Sequence, residues 1–256
     1  MVVLMVGLDS ETGVIGGKKL NAYIETIYET DKITKEKIET WKVKKTLCAD
    51  KDIVVRATDV LNTDGNNRLV VGKILEDYGR LDNYPWGASL DEMETEFKDV
   101  QKRLKITGLS APPRAYLFYD PGLHSCSGNA ILFAGIDRDD ITKAGEKEYF
   151  EWSAGESDWG LEEIDFNQFL QKYHLQNLLK KESLSKPLNL VINITNQDGN
   201  FGSCMLGIPI CKAIEEPEKL CGKTIDEIRS VCNKVEKELK SIGITQKVGL
   251  SIEESW

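Results

Sequence analysis

Residues 97–136 read FKDVQKRLKITGLSAPPRAYLFYDPGLHSCSGNAILFAGI, and the fold class turns on them. Phe97, Val100 and Leu104 recur at helical spacing and predict the apolar face of a helix. Gly108 is a natural C-terminal stop, and Pro112 and Pro113 prevent continuation. Arg114 to Tyr119 then has strand composition and runs into Asp120-Pro121-Gly122. A second apolar strand ending at Ile136 is expected to close a hairpin on it.

Working outward, Ser89 caps the start of this helix, and Glu92 three residues on completes a capping box. Leu90 and Met93 extend the apolar face. Upstream, MVVLMVGL reads as a buried first strand. Tyr23 to Tyr28 and Thr40 to Val43 are strand-like and flank a charged turn. Ile53 to Ala57, the Asp64-Gly65 step and Leu69 to Ile74 predict a hairpin. Downstream come a strand at Tyr149 to Trp152 and a helix over 165–181. A second hairpin is expected from Leu188–Ile194, Asp198-Gly199 and Cys204–Ile210. Thr224 and Glu227 form another capping box for a helix to Ser241, Gly243 stops it, and Lys247 to Ile252 is a last strand.

Helices alternating with short-looped antiparallel strands predict an α+β fold, with helices on one side of the sheet. A doubly wound fold would need parallel crossovers, which the Asp-Gly turns oppose. The expected organisation is one domain over 1–256. In it, strands of 1–68 extend the sheet, 69–212 form the core, and 213–256 add a helix and strand.

Charged residues make up 29% of the chain and hydrophobic ones 41%, with a net charge of −9 and a pI near 5.0. That balance suits a soluble globular protein and argues against a nucleic-acid partner. The opening apolar run is too short to span a bilayer and lacks a basic leader, so a cytoplasmic protein without a membrane span is expected. Six cysteines occur without a CxxC pair, which predicts free thiols rather than zinc or redox motifs. Two histidines are too few for a histidine-rich metal site. No cofactor motif is recognised.

The helix Leu90–Leu104, the strand PRAYLFYDPG, the strand AILFAGI and the later PLNLVINITN resemble the GyrI-like, or effector-binding, family over about 69–212. The resemblance implies a duplicated helix-plus-hairpin centre (the SHS2-type arrangement) with two halves around a groove. It implies a non-catalytic binding module for a small molecule or a protein partner. The alternative it allows is a hydrolase of a small reactive compound. Family members that bind cationic drugs carry a buried glutamate where this chain has Asn189. A neutral amide lacks the complementary charge.

On this reading Trp86, Tyr119, Trp152 and Asn189 line the groove and suit a neutral planar, amphipathic ligand. Tyr116, Phe118 and Trp159 flank it, although ordinary core is the commoner fate of aromatics on strands. Glu151 is the candidate catalytic carboxylate. Asp9-Ser10-Glu11 is similar to the first acidic motif of DnaQ-type 3′–5′ exonucleases, which would make a metal-dependent nuclease a remote alternative. A polar turn after strand one is the preferred reading. GVIGG lacks the phosphate-loop pattern and reads as a tight turn. His124 and Cys126 fall in a polar loop without a third orienting group.

Overall fold

A computed structural model describes residues 2–11, 14–15, 18–30, 35, 37–44, 50–61, 65–78, 86–109, 111–120, 130–137, 161–168, 188–197, 200–213, 219–241 and 243–254. In chain order the strands are β1 (Val2–Asp9), β2 (Val14–Ile15), β3 (Lys18–Lys19), β4 (Ile24–Thr30), β5 (Lys37–Val43), β6 (Val54–Leu61), β7 (Asn67–Tyr78) and β8 (Gly87–Ser89). Helix α1 (Leu90–Ile106) follows, then β9 (Arg114–Tyr119), β10 (Ala130–Asp137), β11 (Leu161–Asp165), β12 (Val191–Gln197), β13 (Asn200–Ala213) and β14 (Cys221–Lys223). Helix α2 (Ile225–Ser241) and β15 (Gly249–Glu254) end the order. The fold is α+β and its sheets are antiparallel wherever register is defined. The expected hairpins β6–β7 and β12–β13 are present. Residues 166–168 are helical, and the rest of the helix expected over 165–181 lies outside the described residues.

The chain divides into two compact units. Unit 1 holds 1–83, 93–126 and 213–225, and unit 2 holds 84–92, 127–212 and 226–256. Unit 1 carries a five-stranded sheet in the order β14-β9-β1-β7-β6. Unit 2 carries a six-stranded sheet in the order β11-β12-β13-β10-β15-β8. Two expectations are corrected here. β1 does not extend a sheet edge: all eight of its residues are buried and it pairs on both sides. A strand apolar on both faces gains most from a central place. Nor do β9 and β10 form a hairpin. β9 pairs with β1 and β14, and β10 with β13 and β15.

The two units repeat one plan. VVLMVGLD of β1 matches AILFAGID of β10, and each strand lies between a neighbour from a hairpin later in the chain (β7, β13) and one following a helix (β9, β15). At one constant offset Ser89 maps on Thr224, Gly108 on Gly243 and Arg114 on Gly249. The buried helical stripes Met93, Phe97, Val100, Leu104 and Ile228, Cys232, Val235, Leu239 fall in the same register. Both helices stop alike. Gly108 and Gly243 adopt φ 90° and 92°, where a side chain is strained. Leu109 and Ile244 then donate back to the carbonyls of Leu104 and Leu239 at 2.8 and 2.9 Å. Gly7 against Gly72, and Gly135 against Gly207, mark backbone approaches too close for any Cβ. The repeated blocks thus run from β1 to β9 and from β10 to β15, bounds different from those of the duplicated centre expected within 69–212.

The short strands are exchanged. β8 leaves β7 of unit 1 and pairs with β15 of unit 2, while β14 leaves β13 of unit 2 and pairs with β9 of unit 1.

Candidate functional site

In unit 1, α1 lies over one face of the sheet. Lys73 of β7 reaches it at 2.5 Å from Glu96 and 3.6 Å from Asp99. Side chains alternate along a strand, so residues two apart share the opposite face. There Val3, Met5, Val70, Tyr116 and Phe118 form a buried apolar cluster, with Val54, Ile74 and Leu220 against it. The Tyr116 ring lies over Gly222 of β14: a Cβ on Gly222 would stand 2.4 Å from its Cε1 and 2.9 Å from its Cδ1.

The corresponding face of unit 2 holds Ile131, Phe133 and Met205, with Val191 against them. The positions of Tyr116 and Phe118 are taken by Ser251 and Glu253. Gly87 of β8 stands where Gly222 does, opposite Ser251, yet the nearest atom to a Cβ built on it is the Leu250 carbonyl oxygen at 3.7 Å. The space is a pocket of about 360 Å³, small but within the range of ligand sites. Its walls include Trp86, Gly87, Met205, Lys247, Ser251 and Glu253, all from unit 2. Trp86 occupies the position of Cys221 and is fixed at the strand end by accepting from the Ile252 N–H at 3.1 Å.

Polar groups are few. Ser251 is 9% exposed, and its Oγ is buried with no hydrogen-bond partner. Glu253 is 2% exposed. The Lys247 ammonium is held by Asp91 at 2.9 Å, and that hydrogen bond raises its pKa. At the start of α1 the Ser89 N–H and Oγ donate to Glu92 Oε2 at 2.7 and 2.8 Å. Those bonds, backbone first, lower the Glu92 pKa.

Of the residues singled out in the sequence, Trp86 lines this pocket. Tyr119 is buried in unit 1, where its N–H donates to Asp59 Oδ1 at 3.3 Å. Burial raises the Asp59 pKa. Asn189 is exposed rather than buried, and its side chain and N–H bind Glu238 of α2 at 2.9 and 2.6 Å. Neither lines the pocket. Tyr116 and Phe118 are core. Glu151, Trp152, Trp159, His124 and Cys126 lie outside the described residues.

Asp9 is 3% exposed and paired with Arg68, whose Nε reaches Oδ1 at 3.2 Å. Ser10 Oγ accepts from the Leu69 N–H at 3.0 Å. These contacts tie β1 to β7. Among the described residues no group of three or more His, Cys, Asp or Glu is placed to hold a metal. The expectation of six free thiols is corrected: Cys211 and Cys221 are disulfide-bonded, while Cys232 is a buried free thiol with its pKa pushed up to about 11 by burial. Among the described residues no helix is long and apolar enough to cross a membrane.

Ser251 and Glu253 are the site residues that reading from motifs missed. The signal that exposes them is the internal repeat: setting PRAYLFY (113–119) over VGLSIEE (248–254) puts Ser under Tyr and Glu under Phe. No family model, curated protein or solved structure matches this chain.

Proposed function

We propose that this protein is a non-catalytic binding module for a small amphipathic molecule, taken up in the Trp86 pocket of unit 2. The observation that carries the reading is the buried Ser251 hydroxyl left without a partner in that pocket. An unpaired hydroxyl costs free energy that a ligand polar group recovers. Trp86 and Met205 supply apolar walls. The effector-binding role that the GyrI-like resemblance implies agrees with a pocket of about 360 Å³ better than with a broad protein contact.

The hydrolase alternative would need a carboxylate at the pocket, and Glu253 is the acidic residue that lines it. A thermal-shift screen of small amphipathic compounds, followed by tryptophan-fluorescence titration, separates the readings. The expected result is saturable quenching that Trp86→Phe removes, with the compound recovered unchanged. Consumption of the compound would favour the hydrolase. Absence of any stabilising compound, or quenching that Trp86→Phe leaves intact, would overturn the pocket reading.

A further inference from the structure

We infer that the ligand of the unit 2 pocket carries a single planar aromatic ring with a polar substituent, seated over Gly87 as the Tyr116 ring is seated over Gly222. The inference rests on the pocket being a binding site and adds the chemical class of its occupant.

The protein contains its own template for the complex. Both units place a glycine on a short exchanged strand opposite the second-last inward-facing residue of the strand that follows the helix. In unit 1 the glycine is required, because a Cβ there would collide with the Tyr116 ring. In unit 2 no ring of the described residues lies above the glycine, and among them the nearest atom to a Cβ is the Leu250 carbonyl oxygen at 3.7 Å. Among the described residues no atom gives a steric reason for glycine at position 87. A flat ring laid on the peptide supplies that reason. The surrounding surface keeps the same character: Met205 stands where Val70 packs, and Phe133 where Met5 packs.

The two replaced side chains define the substituent. Ser251 ends at a buried Oγ that can donate or accept. Glu253, in place of Phe118, adds acidic character to the adjoining wall, which disfavours an anionic substituent. A phenol-type hydroxyl is neutral at pH 7 and can bond Ser251 Oγ. A saturated ring of the same size makes poorer contact with the flat glycine peptide than an aromatic face does.

The test uses the full chain, with p-cresol and its saturated counterpart 4-methylcyclohexanol as probes in isothermal titration. p-Cresol is expected to bind once per chain, and 4-methylcyclohexanol about tenfold more weakly or not at all. Gly87→Ala, which the free protein accommodates, is expected to weaken p-cresol about tenfold while leaving the unfolding midpoint in place. Equal binding of the two probes overturns the aromatic class and leaves the pocket reading standing. Unchanged p-cresol affinity in Gly87→Ala overturns the placement over Gly87. If neither probe binds while another compound shows Trp86-dependent quenching, the inference alone fails. If no compound does, the pocket reading fails with it.

Discussion

Unit 1 and unit 2 build the same kind of sheet face from corresponding strands and finish it differently. In unit 1, Tyr116 and Phe118 close the face and leave no room above Gly222. In unit 2, Ser251 and Glu253 stand in their places and a pocket opens above Gly87. The facing glycine pairs, the capped helices and the exchanged short strands are common to both. Two side chains on one strand thus separate a core from a cavity. The backbone plan is paid for once, and the site is added by removing volume.

The comparison can be broken most forcefully at Tyr116. Tyr116→Ala removes a ring from a packed cluster and should cost about 3–5 kcal/mol in urea unfolding. Ser251→Ala at the equivalent place should be neutral, or about 1 kcal/mol stabilising, because it deletes a hydroxyl without a partner. Equal losses at the two positions would mean that the unit 2 face is as tightly filled as that of unit 1.

Next in size is the tie between β1 and β7. Asp9→Ala leaves the Arg68 guanidinium, 18% exposed, without this carboxylate and should cost about 3 kcal/mol. A change within measurement error would remove the ion pair from the account of how unit 1 is held together.

A smaller effect is expected at the helix start. Ser89→Ala should cost about 1 kcal/mol at neutral pH. Its bonds hold the Glu92 carboxyl below its usual value. A depressed folded pKa means stability that is present above the unfolded value of 4.5 and lost as pH falls through the lower folded one. The difference between wild type and Ser89→Ala should therefore narrow at acid pH. A constant difference from neutral to acid would place the capping energy elsewhere. Finally, with six cysteines and two of them bonded, thiol titration of the unfolded, unreduced chain should find no more than four. Six reactive thiols would contradict the bonding of Cys211 and Cys221.

Most elements were legible because local chemistry fixes them. Ser89 with Glu92, Thr224 with Glu227 and the two stop glycines bracket the helices within a residue or two. The all-apolar β1 announced burial. The partner of β9 is not legible locally, because a turn sequence such as Asp120-Pro121-Gly122 specifies a reversal of direction, not the partner strand. The partner is set by which faces each strand must bury, and that is a long-range property. For the same reason strand composition leaves Tyr116 and Phe118 open between groove wall and core, and they are core. Ser251 and Glu253 carry no motif. They become visible only against their counterparts in the other repeat.

The central claim is that the unit 2 pocket is the space a Tyr116-like ring would fill, and Ser251→Tyr tests it most directly by urea unfolding. The account predicts a folded protein at least as stable as wild type, because the new ring enters existing space over Gly87 and buries apolar area. A loss of about 1–3 kcal/mol, the cost of forcing a ring into a site already full, would contradict it.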